Sequence, residues 1–279
     1  MMQRLCTLLA IFLCVAAFAS PSLQEELKRI GDTGNIHFTF EGADVRITTP
    51  HIEMLLNGTA RNYCVKKFGR RGEPRDFYSF LSASLFDKSS CSEYYTMHRT
   101  RDVVLTKRDG SLTFTVTTEL PRFTVVRTLE LFPDRRFFKM SFDVTATEDV
   151  QISRVIAHVN IDKTKRLIAW TDGQEPSFRK NTKPAWFNIP RPDALPCIAY
   201  LDENGKDGVA VISANMPNWH ENPGQLLSSA GKDGGFTLEL SKWGARDARK
   251  GDSTYYELFF APVADLDDAL AVYQDIVPR

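Results

Sequence analysis

The sequence is poor in cysteine, and this limits what its thiols can build. Of five cysteines in 279 residues, Cys6 and Cys14 lie in an N-terminal apolar segment. The other three exclude a disulfide-rich scaffold. One bridge, which we assign to Cys64 and Cys91 because both lie in one irregular segment, leaves Cys197 as the odd thiol. No CxxC pair occurs, so a zinc site has no local support.

Several catalytic signatures are also missing. The chain has no HExxH, no G-x-S-x-G and no glycine-rich phosphate loop. A zincin, a serine hydrolase of the elbow type and a P-loop nucleotide enzyme are therefore unsupported, and we expect neither a metal nor another cofactor. Acidic and basic residues number 35 each. This balance gives no argument for nucleic acid or an anionic membrane as a partner.

Long hydrophobic runs are absent beyond the first 19 residues. Arg4 precedes an apolar run from Leu8 to Phe18, and Ala17-Phe18-Ala19 has the form of a cleavage site. This pattern predicts a signal peptide over residues 1–19, the alternative being an uncleaved anchor. We expect residues 20–279 to form a single domain without membrane insertion, secreted or periplasmic.

The remaining chain shows the period-two alternation of half-buried strands. Apolar residues alternate with polar ones from Leu112 to Thr117, from Phe123 to Leu131 and from Phe138 to Val144. Asp109-Gly110 and Asn204-Gly205 have the composition of hairpin turns. The alternation predicts antiparallel sheets with one buried face each. The fold class is therefore all-β, a large antiparallel β-sandwich, with a smaller jelly roll as the alternative.

Element boundaries follow from the same signals. Ser22-Leu23-Gln24-Glu25 matches a capping box, which predicts a short helix to Ile30, and Asp265 can cap a C-terminal helix from Leu266 to Ile276. We expect twelve or more strands, among them 36–48, 150–161, 195–202, 207–213, 236–243 and 254–261. Segments 57–95 and 171–194 are expected to be irregular.

The strand predicted over 150–161 carries a polar face. Arg154, His158 and Asn160 share it with Ile156, because residues two apart point to the same side. All three polar groups can hydrogen-bond the hydroxyl groups of a ligand, and His158 can transfer a proton near neutral pH. The alternative is an ordinary solvated face.

A second candidate lies in the loop after the strand 207–213. There Trp219 is followed by His220 and Glu221, among prolines and asparagines. An exposed indole can stack on the apolar face of a sugar ring, and the alternative is a tryptophan that covers the end of the sandwich. His220 and Glu221 are candidate ligand contacts, since adjacency alone does not make them an acid–base pair.

Three further residues complete the candidate binding set. Trp186 lies in a turn-rich segment, where core packing is the alternative. His98 and Arg99 precede the strand at 101–107, and arginine binds carboxylates through two parallel hydrogen bonds. For this pair a surface ion pair with Asp102 or Glu93 is the alternative.

The stretch RTLELFPDRRFFKMSFDVTATEDVQISRVIAHVNI resembles the middle of the galactose mutarotase-like superfamily. That superfamily includes aldose 1-epimerases and the β-sandwich domains of many glycoside hydrolases and polysaccharide lyases. The resemblance implies a mutarotase-like supersandwich in which His158 matches the family's histidine, although the preceding asparagine and the aromatic pair are not kept. It also implies a catalytic glutamate near the C-terminus. Glu257 is in a loosely comparable place, and a charge on a solvent face is its alternative.

Three functions remain open. The first is a carbohydrate-binding sandwich that binds a sugar or polysaccharide through the loop of Trp219 and the polar sheet face. The second is a carbohydrate-active enzyme, such as a mutarotase, lyase or hydrolase, that uses His158 as a general acid or base. The third is a protein-interaction module without catalysis. The enzyme requires His158 and a carboxylate to face one cleft.

Overall fold

The structure is a computed structural model that describes residues 23–57, 64–87, 92–95, 100–161, 167–171, 178–181, 187–188, 197–213, 227–230, 236–239 and 246–277. The signal peptide expected over residues 1–19 lies outside this part of the chain. Within these ranges, no helix is both long and apolar enough to cross a membrane.

The described elements begin with the helix α1 (Leu23–Ile30) and end with the helix α2 (Leu266–Ile276). Between them lie β1 (His37–Glu41), β2 (Asp44–Thr48), β3 (Ile52–Asn57), β4 (Cys64–Arg70), β5 (Glu73–Asp87), β6 (Ser92–Tyr95), β7 (Thr100–Arg108), β8 (Ser111–Glu119), β9 (Phe123–Leu131) and β10 (Phe138–Ala146). The remaining strands are β11 (Val150–Ile161), β12 (Leu167–Thr171), β13 (Phe178–Asn181), β14 (Phe187–Asn188), β15 (Cys197–Leu201), β16 (Gly208–Ser213), β17 (Leu227–Ala230), β18 (Phe236–Glu239), β19 (Arg246–Ala248) and β20 (Ser253–Val263).

These strands form two antiparallel sheets. Sheet I has eleven strands in the order β1-β2-β3-β4-β5-β11-β18-β17-β14, with β6 paired to β5 and β19 paired to β11. Sheet II has nine strands in the order β13-β12-β15-β16-β20-β10-β9-β8-β7. The prediction of an all-β antiparallel sandwich with a short helix near each end is confirmed.

The core lies between the two sheets. Phe68 and Phe77 of sheet I meet Phe138 and Phe260 of sheet II, with ring centroids 4.8 Å apart for Phe68–Phe138 and 5.8 Å for Phe77–Phe260. Both contacts are edge-to-face, which is a favoured geometry for aromatic pairs. The inner faces of the two sheets therefore pack directly on each other.

The hairpin turns explain several strand boundaries. Asp109 and Gly110 adopt φ angles of 49° and 79°, and this left-handed pair closes the β7–β8 hairpin as predicted. The predicted single strand 36–48 is instead a hairpin, because Gly42 at φ 61° turns the chain between β1 and β2. The alternation expected in β8, β9 and β10 is present as alternating burial, except that Ser141 of β10 is also buried.

The expectation of irregular structure over 57–95 is wrong for most of that segment. It contains β4, β5 and β6, and Gly72 at φ 86° makes the turn between the first two. Arg71 and Gly72 therefore form the turn of the β4–β5 hairpin. In 171–194, the described parts include the short strands β13 and β14.

The helix α2 covers part of the outer face of sheet II. Its side chains Ala269 and Val272 are fully buried in a second apolar cluster with residues of β15, β16 and β20. The side chain of Asp265 caps the helix by accepting a hydrogen bond from the backbone N of Asp268 at 3.1 Å, as predicted.

Candidate functional site

The strand β11, which carries three of the candidate residues, lies inside sheet I. On one side it pairs with β5 along most of its length. On the other side it pairs with β19 near its start and with β18 at Ile156 and Ala157. A strand that is paired on both sides has a fixed register, so its two faces can be assigned.

One buried aromatic residue decides which face of β11 points outward. Phe77 is 1% exposed in the core and lies directly opposite Ile161. Opposed residues share a face of the sheet, so position 161 faces the core. Alternation then directs positions 155, 157 and 159 inward. Positions 154, 156, 158 and 160 consequently lie on the outer face, away from sheet II.

A bulge near the start of β11 agrees with this assignment. Val150 and its partner Ala248 are both buried in the core. The register with β5 shifts between Ile152 and Arg154, which leaves Ser153 as an additional residue. An additional residue reverses the alternation. Val150 can therefore face the core although Arg154, four residues later, is on the outer face.

A second irregularity lies beside His158. Between the paired residues Ala157 and Val159, β11 has only His158, whereas β5 has the three residues 80–82 over the same interval. Bulges of this kind occur frequently next to functional sites, where they redirect a side chain. The backbone around position 158 is thus distinct from the regular ladder on either side.

The register places six strands in one row across this face. The row consists of directly opposed residues, Tyr95 (β6), Ser84 (β5), Ile156 (β11), Glu239 (β18), Leu227 (β17) and Asn188 (β14). We call the outer face along this row, together with positions 154, 158 and 160, the outer β11 face. It unites strands that are separated by more than a hundred residues in the sequence.

The other candidate binding residues lie outside the described residues, but the chain enters or leaves the row beside them. Trp186 immediately precedes β14, and the segment with Trp219, His220 and Glu221 leads into β17 at Leu227. The pair His98 and Arg99 follows β6 by three and four residues. All of these segments therefore connect directly to strands of the same row.

Glu257 is placed elsewhere, and this corrects its predicted role as partner of His158. Its neighbours Tyr256 and Leu258 on β20 are buried in the core between the sheets. Glu257, between them, therefore points to the outer face of sheet II. His158 lies on a strand of sheet I, so the two residues do not face one cleft. Strand position alone could not reveal this, because it does not say which sheet the strand joins.

The surroundings of Glu257 are those of a structural ion pair. Lys139 Nζ lies 2.8 Å from Glu130 Oε2 and 3.2 Å from Glu257 Oε1. Burial acts to lower the pKa of Lys139, but the two carboxylates outweigh it and the pKa is raised. The hydroxyl group of Tyr255 donates a hydrogen bond to Glu257 Oε1 at 3.4 Å. Glu257 thus forms an ion pair with the ammonium group of Lys139 on the outer face of sheet II.

Glu239 is the candidate that sequence reasoning missed. It lies directly opposite Ile156 and therefore on the same face of sheet I as position 158. Diagonal neighbours on adjacent antiparallel strands are about 7–8 Å apart, which is the relation between positions 158 and 239. The available signal was the strand predicted over 236–243, but its pairing with β11 was not apparent from the sequence.

Two further side chains lie in or against the apolar interior. Trp170 is partly buried and packs against the core. The thiol of Cys197 is buried, and burial raises its pKa. The predicted Cys64–Cys91 bridge cannot be followed, because Cys91 lies outside the described residues.

One recess of the described residues lies away from the outer β11 face. This recess, between β4, β5 and β16, is lined in part by Arg75 and Asp207, which are ion-paired with each other at 3.3 Å. Among the described residues, no group of three or more His, Cys, Asp or Glu side chains is arranged to hold a metal ion.

Comparison with known proteins bears on the fold. No family model and no curated protein sequence matches the chain. Among solved structures it is similar to the α-galactosidase from Lactobacillus brevis, with a TM-score of 0.58 and 9% identity over 83% of this chain and 41% of that one. A galactose mutarotase-like protein from Clostridium acetobutylicum gives a TM-score of 0.51 and 10% identity over 83% of this chain and 99% of that one. The chain has the galactose mutarotase-like fold.

A third structure of this fold matches nearly end to end. A candidate aldose 1-epimerase from Klebsiella pneumoniae gives a TM-score of 0.55 and 10% identity, and the match covers 86% of both chains. By contrast, the chain spans about two fifths of the length of the galactosidases it matches. The predicted resemblance to the galactose mutarotase-like superfamily is therefore confirmed at the level of fold.

Proposed function

We propose that this protein is a carbohydrate-binding sandwich that recognises a sugar or polysaccharide at the outer β11 face. The observation that carries the proposal is the register row from Tyr95 to Asn188. It joins the strand of Arg154, His158 and Asn160 to strands that adjoin each of the other predicted binding segments. Predicted binding segments that all adjoin neighbouring strands of one sheet support a shared ligand.

The chemistry of this face suits a carbohydrate. Its positions include hydroxyl, amide, carboxylate, imidazole and guanidinium groups, which can all hydrogen-bond sugar hydroxyls. The structural neighbours named above include an α-galactosidase and a candidate aldose 1-epimerase, which supports a sugar as the ligand. The N-terminal pattern over residues 1–19 supports a secreted or periplasmic protein.

A glycan array with purified protein tests the proposal. Wild type is compared with His158→Ala and Trp219→Ala, and Thr115→Ala on the exposed side of sheet II serves as the control. We expect binding to at least one glycan that both site variants weaken by tenfold or more, while the control binds as wild type does. If the protein binds no glycan on the array, the proposal is contradicted, and the protein-interaction module remains as the function.

A second candidate function is an enzyme on the same face. The observation that favours it is Glu239, which supplies a carboxylate position diagonal to His158. An imidazole and a carboxylate that flank a sugar can act as general acid and base. Glu257 plays no part in this version, because it lies on the other sheet.

Polarimetry distinguishes the enzyme from the binding protein. The optical rotation of fresh α-D-galactose and α-D-glucose is followed with catalytic amounts of protein, and release of reducing ends from polysaccharides is measured in parallel. An enzyme predicts a rate above buffer that falls by about 10²-fold or more in His158→Ala and in Glu239→Gln. Glu257→Gln should retain that rate. If every assay gives the same rate as buffer while glycan binding is intact, the protein binds carbohydrate without catalysing a reaction.

A further inference from the structure

We infer that the outer β11 face takes an uncharged oligosaccharide of several residues that lies across the strands, and not a single sugar. This inference rests on the proposed function and adds the length, direction and charge class of the ligand. It is carried by the described backbone register and by the residue types that the register aligns.

The length of the row is the first argument. Five strand spacings separate Tyr95 from Asn188, and neighbouring strands lie about 4.8 Å apart, so the row extends about 24 Å. A single sugar ring spans only one or two neighbouring strands. A monosaccharide site would need its binding groups around one point, whereas these groups are distributed along a line.

The order of residue types along the row is the second argument. Hydrogen-bonding residues alternate with apolar ones, since Ser84 is followed by Ile156, then Glu239, then Leu227, then Asn188. A sugar chain presents hydroxyl groups and apolar ring faces in succession. Apolar contacts combined with hydrogen bonds match that repeating chemistry, and the residue at one end of the row, Tyr95, is aromatic.

The charges beside the row define the ligand class. Glu93, Phe86 and Arg154 form a neighbouring row on the same face. Together, this neighbouring row and Glu239 contain two acidic positions and one basic position. Because no single sign dominates, the face does not attract a polyanion such as a sulfated or uronic acid polymer by steering. A neutral chain meets no electrostatic penalty there.

A chain-length series tests the inference. Gluco-, galacto-, manno- and xylo-oligosaccharides of one to six residues are titrated calorimetrically, and hexa-uronates provide the charged comparison. The variants are Tyr95→Ala and Asn188→Ala at the two ends of the row. Tyr255→Ala, an exposed tyrosine on sheet II, is the matched control, and thermal melting verifies that each variant is folded.

We expect affinity for at least one neutral series to rise tenfold or more between one and six residues. Both end variants should weaken the hexasaccharide by about threefold or more and leave the monosaccharide unchanged, and Tyr255→Ala should have no effect. A monosaccharide that binds as tightly as the hexasaccharide, or tighter binding of the uronate, would overturn the inference and leave the proposed function standing. If no saccharide of any length binds, the proposed function fails as well.

Discussion

Ile161 lies directly opposite Phe77, and this pairing decides which side of β11 is exposed. Phe77 is buried against Phe260 of the other sheet, so its neighbour across the ladder must face the core. The alternation that follows assigns each position from Arg154 to Asn160 to one of the two faces. The candidate site depends on this assignment, which can be tested directly.

The two faces of β11 predict opposite responses to a buried charge. Ala157→Glu should lower the free energy of unfolding by about 3 kcal/mol or more, because it introduces an unpaired carboxylate on the core side. Ile156→Glu should change it by less than about 1 kcal/mol, since the outer face is away from sheet II. Urea unfolding measures both. The opposite ranking would show that β11 has the reverse orientation and would remove His158 from the outer face.

The placement of Glu257 predicts a small structural effect without a functional one. Glu257→Gln should lower stability by less than about 1 kcal/mol, because Lys139 keeps its second carboxylate, Glu130, at 2.8 Å. Binding to any glycan that wild type retains should be unchanged. Thermal melting and the glycan array report the two properties separately. A loss of glycan binding without a loss of stability would return Glu257 to the site.

The buried guanidinium of Arg127 predicts a large loss of stability. The residue is 1% exposed, and its Nη2 donates a hydrogen bond to Thr118 Oγ1 at 3.2 Å. Arg127→Ala should cost about 3 kcal/mol or more, because it leaves a cavity and removes the partner of a buried hydroxyl. Thr124→Ala, on the opposite face of the same strand, should cost less than about 1 kcal/mol. Similar urea midpoints for both variants would contradict a packed role for Arg127.

Much of the sandwich could be predicted because one-sided burial imposes period two. In β9 every second residue from Phe123 to Leu131 is buried, and the sequence shows the same alternation. The polar composition of one side of β11 was visible for the same reason. The turn of Asp109 and Gly110 was predictable from local backbone chemistry, since both residues tolerate positive φ.

The partners of each strand were not predictable, because pairing is a long-range property. Glu239 lies opposite Ile156 although 83 residues separate them in the sequence, and no local pattern encodes that contact. Glu257 was misassigned for the corresponding reason: its strand joins sheet II, beside β10. The turn at Gly72 was not predicted, because charged residues surround it in a segment that was expected to be irregular.

The carboxylate of Asp268 predicts how stability responds to acid. It accepts a hydrogen bond from Ala264 N at 2.8 Å and forms ion pairs with Arg136 and with Arg70, the latter at 3.1 Å. Burial acts to raise the pKa of Asp268, but these partners outweigh it and hold the pKa below its usual 3.8. The stabilisation is therefore present at neutral pH and lost as the pH falls through the lowered pKa.

Asp268→Asn tests this linkage by removing the charge and keeping the shape. At pH 7 we expect the variant to be less stable by about 1–2 kcal/mol, the range for a partly exposed, charge-assisted contact. The difference should shrink below about pH 4 and vanish once wild-type Asp268 is protonated. Asp267→Asn, an exposed residue in the same helical turn, is the control. Urea unfolding at a series of pH values measures it, and a constant difference down to about pH 2 would show that the charge of Asp268 does not stabilise the helix against the sheet.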